Sequence, residues 1–226
     1  MPARLIYLYG ADGSGKTTVA EHIEQHLKAE NHSVYRVWAA LRPVIVWPII
    51  KVAKFLFVRK HNKFDNYSEH IKAKNEGMRR FRILFKPLFF LRLFDYYPQY
   101  LWKVVRTARR SDFLICDRYY VDLIMDQVIG EGAGPECFSD WMRRYGRFFR
   151  TPDLSLYLRT TPQVAIKRKT DIPSEEYLEE RRLFYDAVTE ILRAHIIDAD
   201  QPLPIVLAQV QECIDDLDHR SCPLPR

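Results

Sequence analysis

Residues 4–17 constrain this chain more than any other stretch. Arg4-Leu5-Ile6-Tyr7-Leu8-Tyr9 is a short run of β-branched, aliphatic and aromatic side chains. It breaks into Gly10-Ala11-Asp12-Gly13-Ser14-Gly15-Lys16-Thr17, and a helix-forming stretch follows from Thr18. The order is strand, glycine-rich loop, helix. The octamer fits G-x-x-x-x-G-K-[ST], in which backbone N–H groups at a helix N-terminus surround an anion, so it reads as a phosphate-binding loop. In that reading the glycines allow close approach of the phosphates, Lys16 reaches the β/γ-phosphates and the Thr17 hydroxyl ligates magnesium. Gly13, Ser14 and Thr18 complete the nucleotide-binding set.

Composition narrows the rest. The chain has 226 residues, 47% of them hydrophobic, enough for a packed core. The start, Met1-Pro2-Ala3-Arg4, carries no apolar leader, so the expected location is cytoplasmic. Cys116, Cys137, Cys213 and Cys222 are widely spaced without a C-x-x-C pair, which suggests neither a zinc site nor a disulfide framework. The net charge of +6 is uneven: Arg36 to Arg110 holds eighteen Lys and Arg against four acids, a local balance of +14. The same stretch carries two apolar runs, Val44 to Val58 and Phe81 to Tyr97. The first spans about fifteen residues with lysines and a proline inside, too short and too polar for a membrane-spanning helix. Core, a dimer interface and a contact with an anionic membrane surface all remain readings of these runs.

Along the chain, helical spacing covers Thr18 to Glu30 and a second strand covers Ser33 to Trp38. Leu41 to Val105 reads as several helices separated by Pro43, Pro48, Pro87 and Pro98. Asp112 to Asp117 is an apolar run ending in an acid, which reads as a buried parallel strand whose terminal Asp117 points at the phosphate site. Helices follow from Tyr119 and over Glu136 to Phe149. Then come a strand over Asp153 to Leu158, helices over Pro162 to Lys169 and Ser174 to Ala194, a strand over Ile196 to Asp198 and a helix over Leu203 to Leu217. Alternating strands and helices predict an α/β fold with a five-stranded parallel sheet flanked by helices.

Two clusters carry further chemistry. Asp117-Arg118-Tyr119 offers a carboxylate for a magnesium shell and a guanidinium for a phosphate, and equally suits a structural ion pair. Lys167-Arg168-Lys169, just before Asp171-Ile172-Pro173, reads as a basic lid over 167–174 or as a solvated helix end.

Together these segments resemble the thymidylate kinase family. Tyr9 to Thr18 is similar to that family's phosphate loop, including Asp12, which there faces the acceptor sugar. Asp117-Arg118-Tyr119 followed by Gln127 resembles its D-R-Y segment. Pro152 to Leu158 with Pro162 to Arg168 resembles its strand and lid-approach helix, in which Arg168 would stack on adenine. The resemblance implies a P-loop NTPase three-layer sandwich, a single kinase domain over 1–226, and ATP and Mg2+ as cofactors. The activity it implies is transfer of the ATP γ-phosphate to a nucleoside monophosphate, dTMP by default. It also implies catalytic Lys16, Asp117, Arg118 and Arg168, metal-holding Thr17 and Asp117, and acceptor-binding Asp12, Arg42, Tyr97, Arg118 and Gln127. Family members commonly dimerise, which extends the expectation to a homodimer.

The chain departs from the family where the acceptor is read. Ala40-Leu41-Arg42-Pro43-Val44 replaces an R-E-P-G-G-T-like loop, and Tyr97 stands where an arginine reads the base. Tyrosine lacks the guanidinium's multi-donor fork, so a more apolar or membrane-associated acceptor is the second kinase reading. Two other classes fit less well. Asn62-Lys63-Phe64-Asp65 matches a guanine-reading string, but it precedes the Asp117 strand and lacks a D-x-x-G partner. The basic, aromatic middle at about 39–105 suggests nucleic acid, yet no recognised nucleic-acid motif is present.

Overall fold

The structure is a computed structural model that describes residues 3–40, 42, 44, 47, 82–169 and 172–219. The N-K-x-D string, Pro43, Pro48, most of the first apolar run and the basic residues between 51 and 81 lie outside the described residues. Five strands form one parallel sheet: β1 (Arg4–Tyr9), β2 (Val34–Trp38), β3 (Phe113–Asp117), β4 (Leu154–Arg159) and β5 (His195–Asp198), in the order β2-β3-β1-β4-β5. β1 is central because it is apolar on both faces, as a parallel strand covered by helices on both sides must be. The edge strands β2 and β5 are largely exposed.

Alternation along β1 divides the interior into two layers. Ile6 and Leu8 face α1 (Lys16–Ala29) and α7 (Leu203–His219), packing with Val19, Ile23, Leu27, Val206, Val210 and Ile214. Leu5, Tyr7 and Tyr9 face the other layer, built from α2 (Arg82–Tyr100), α3 (Tyr120–Gly130), α4 (Pro135–Tyr145) and α6 (Glu175–Leu192). A short helix, α5 (Pro162–Arg168), follows β4. The second layer is rich in tyrosine: Tyr9 stacks on Tyr7 at 5.1 Å and on Tyr157 at 5.0 Å. Their hydroxyls are accommodated, with Tyr9 paired to the Thr189 hydroxyl at 2.9 Å and Tyr96 donating to the Ala39 carbonyl at 2.9 Å.

The expected breaks at Pro87 and Pro98 are corrected: both prolines lie inside α2, which then widens into a π turn over Leu101–Val105. An interior proline costs about 3 kcal/mol through its missing N–H and its clash with the preceding turn. Each fully buried large apolar side chain returns about 1.5–3 kcal/mol. Phe89, Tyr96, Tyr100 and Val104 are all buried along this helix and its π turn, which decides the balance. The expected helix to Phe149 is shorter, ending at Tyr145 before a 3-10 turn over Gly146–Phe148. At Gly146 a Cβ would stand 3.3 Å from the Tyr120 ring, a tight fit that glycine avoids.

Candidate active site

The C-terminal ends of β1, β3 and β4 carry the groups singled out in the sequence. Where neighbouring parallel strands send their connections to opposite faces of a sheet, a crevice opens at this edge. The phosphate loop leaves β1 at Gly10, and two of its glycines are required by close approach. At Gly10 (φ 145°) a Cβ would stand 2.4 Å from the Leu158 carbonyl oxygen. At Gly13 (φ 85°) it would stand 2.6 Å from the Ala165 carbonyl oxygen of α5.

Lys16, in the first turn of α1, folds back over the loop. Its ammonium donates to the carbonyls of Ala11 at 2.7 Å and Gly10 at 3.1 Å. Burial, with repulsion from Arg118, pushes this lysine down to about 8, against the pull of Asp12, Asp117 and Asp122. Thr17 and Thr18 are exposed beside it, and Ser14 is buried.

Arg118 is the electrostatic centre. Its guanidinium donates to Asp12 and to Asp122, both at 2.8 Å, and to the Tyr185 hydroxyl at 3.4 Å. Asp122 is the first cause of its raised pKa. Burial disfavours the Asp12 carboxylate, but Arg118, then Lys16, Lys169 and Arg181, hold its pKa below the usual range. Arg118 takes this position with φ 68°, a left-handed conformation that costs a non-glycine residue about 1–3 kcal/mol and is typical of functional sites. Asp122 accepts from the Tyr119 N–H at 3.1 Å, which caps α3 and fixes the carboxylate. Beside them, Asp117 Oδ1 is buried and accepts no hydrogen bond. A buried, unsatisfied carboxylate oxygen fits a hard divalent cation that prefers oxygen ligands.

The other expected residues are placed as follows. Arg168, at the end of α5, donates to the Ala199 carbonyl at 2.8 Å, which joins it to the loop after β5. That loop is pinned where Asp200 accepts from Thr160 at 2.6 Å. Gln127 is buried, accepts from Arg92 at 3.5 Å and donates to Glu131 at 2.9 Å. Arg42 lies with its guanidinium over the Trp38 ring, 5.1 Å from its centroid. Tyr97 packs its ring against Tyr100 and Phe149. Arg42 and Tyr97 are thus held by aromatic neighbours of their own, whereas Asp12, Lys16, Asp117 and Arg118 converge.

Sequence reading missed three members of the cluster: Asp122, Arg92 and Arg181. Asp122 carried a usable signal, standing four residues after Arg118 on a helix. Arg181 carried none for its ion pair, because Asp126 comes from α3. Its guanidinium meets Asp126 at 2.7 Å and lies 4.8 Å from the Tyr177 ring centroid. Its side chain is 15% exposed, and its Nε is buried without a hydrogen-bond acceptor.

A glycine-rich loop between a central parallel strand and a helix, with a lysine folded over it, defines a nucleotide-binding α/β protein with a P-loop kinase-like fold. No family model matches the chain. Individual relatives do. The thymidylate kinase of Methylococcus capsulatus is 26% identical over 227 residues, covering 96% of this chain and 97% of its own length. That of Latilactobacillus sakei is 26% identical over 234 residues, covering 95% of each. The probable thymidylate kinase of Staphylothermus marinus is 25% identical over 179 residues, covering 77% of this chain and 74% of its own. The chain is similar to these thymidylate kinases at about a quarter identity, over nearly its whole length in the first two, which supports an enzyme of the kinase class in a thymidylate kinase-like family.

Proposed function

We propose that the chain, acting as a single kinase domain, transfers the γ-phosphate of ATP to a nucleoside monophosphate, with dTMP the first acceptor to test. The observation that carries this reading is the convergence of Lys16, Asp12, Arg118 and the unsatisfied Asp117 oxygen at one edge of the sheet. In phosphoryl transfer the protein chiefly positions the reactants and neutralises charge. Lys16 would exchange its two loop carbonyls for phosphate oxygens. Arg118, already paired on both sides, would keep Asp12 oriented toward the acceptor and place a cation beside the transferred group. Arg168 would hold the adenine side near Ala199, and the basic end of α5 would act as the lid. Thr17 and Asp117 would hold Mg2+, which when bound neutralises phosphate charge.

The test is ATP consumption measured against a panel of nucleoside monophosphates, nucleosides and lipid alcohols. Turnover with a nucleoside monophosphate supports the reading, and turnover with none of the panel sinks it. The second kinase reading, a different and more apolar acceptor, draws on Arg42 and Tyr97 being engaged with Trp38, Tyr100 and Phe149. Lipid alcohols in the panel decide between the two.

Arg181 gives a further expectation. With a buried donor unsatisfied and a pull on Asp12, it would take an oxygen of the anionic acceptor. Arg181→Met is expected to raise the acceptor KM about tenfold or more with little change in the KM for ATP, and Arg181→Lys to restore only part of the loss. Equal effects on both substrates would contradict this.

The pH dependence follows from Lys16. Below about pH 8 both folded and unfolded chains carry this proton, so the folded state bears the full cost of the buried ammonium. Between about 8 and the unfolded value of 10.5 the unfolded chain binds more protons, and this group's contribution to stability rises with pH. Phosphates favour the charged amine, so nucleotide binding at pH 8.5 is expected to take up a proton. Calorimetric titration in two buffers of different ionisation enthalpy measures it, and identical heats would refute the expectation.

A further inference from the structure

A second basic site lies at the edge of the sheet, apart from the phosphate loop. A groove of about 390 Å3 is lined by Tyr35 and Val37 of the edge strand β2 and by Trp102, Lys103, Arg106, Thr107 and Arg110 from the π turn that ends α2 and the turn beyond it. The volume is within the range of small-molecule sites, roughly 300–1,000 Å3. Its chemistry is one-sided: two aromatic rings, three cations, a hydroxyl and no acid. Tyr35 is 51% and Trp102 65% exposed, so both rings offer a free face.

Among the described residues, Lys103, Arg106 and Arg110 form no ion pair, whereas Arg36 on the same strand is paired with Glu21. At the rim the Trp38 ring carries two cations, with the Arg42 guanidinium 5.1 Å and the Lys103 ammonium 5.7 Å from its centroid. Burial and then Arg42 lower the pKa of Lys103. Like charges gathered around one indole are relieved by an anion. The backbone itself is unusual here: Trp102 and Lys103 are presented by a π turn, an element that recurs at functional sites.

We propose that this groove binds a nucleotide unit, an aromatic base stacked on Trp102 or Tyr35 with its phosphate on Lys103, Arg106 and Arg110. Two sources supply that chemistry: a free nucleoside polyphosphate and a single-stranded nucleic acid, whose bases stack on aromatic platforms beside cations. A second copy of the chain is a poor occupant, since a two-fold contact through this face would set its unpaired cations against one another.

The test uses the full chain with dTTP, with fluorescently labelled oligo(dT) and with pyrophosphate. It compares the unaltered protein, Arg106→Glu/Arg110→Glu and Trp102→Ala. These side chains lie outside the phosphate-loop cluster, so turnover at saturating substrate is expected to be unchanged and serves as the control for folding. For a free nucleotide, equilibrium dialysis should find one more dTTP bound per chain in the unaltered protein than in the charge-reversed variant. For nucleic acid, oligo(dT) affinity should fall at least tenfold in both variants and steeply with salt. Either result supports the groove as a nucleotide site and identifies the source. The proposal is overturned if neither dTTP stoichiometry nor oligo(dT) affinity responds to the charge reversal. It is also overturned if pyrophosphate displaces the ligand while Trp102→Ala changes nothing, since the ring would then have no role. None of these readouts requires the chain to be a dTMP kinase, so the two readings fail separately.

Discussion

Lys16→Ala is expected to lower phosphoryl transfer at least a hundredfold while moving the melting temperature by only a few degrees. The catalytic part of the expectation follows from charge: a preorganised donor at developing negative charge is worth about 10²–10³ in kcat. The stability part follows from opposing terms. The substitution removes two hydrogen bonds to the loop carbonyls of Gly10 and Ala11, each worth about 1 kcal/mol. It also removes a buried ammonium whose pKa has been driven down to about 8, which returns energy to the folded state. The two effects largely cancel. Steady-state turnover beside a thermal melt checks this, and near-normal turnover by a folded Lys16→Ala protein would defeat the kinase mechanism.

Arg118→Met should have the next largest effect, about a thousandfold on turnover, the lower end of what a transition-state arginine supplies. Here stability should fall too. The guanidinium sits between Asp12 and Asp122, and removing one partner of a buried pair typically costs about 3–5 kcal/mol. The lower end of that range applies because Asp122 keeps the Tyr119 N–H and the Tyr7 hydroxyl. Methionine inherits the left-handed backbone at position 118, so the substitution relieves no strain. Asp122→Asn is the comparison: it keeps the cation but weakens its anchor, and should cost stability with a smaller loss of turnover. A large stability loss in Arg118→Met with normal specific activity would assign the pair a structural role only.

What was legible in the sequence was local. Gly10 to Thr17 is contiguous, and its function resides in backbone geometry that spacing alone encodes. Asp117 was legible because a buried strand that ends in an acid is an anomaly along the chain. Arg181 was not, since its meaning arises from Asp126, which the fold brings to it from α3. Pro87 and Pro98 misled for a related reason. Local propensity ends a helix at proline, but burial of Phe89, Tyr96, Tyr100 and Val104 is a tertiary gain invisible to any short window. Arg92 was equally illegible, because it meets Gln127 and Asp126 of α3 only in three dimensions.

The contact between Gly13 and α5 ties the glycine-rich loop to the helix that ends in Arg168. The loop backbone lies directly against Ala165, and Ala11, Ala165 and Leu178 are buried together, with Ile172 and Tyr177 packed around them. The loop and α5 therefore share one small apolar joint. A side chain as small as alanine's at position 13 would wedge this joint and displace α5, carrying Arg168 away from Ala199. Position 13 is thus the point where the glycine-rich loop and α5 are in register. In the proposed kinase, a shift of the loop would reach α5 and Arg168 by direct contact, so the two could not move independently.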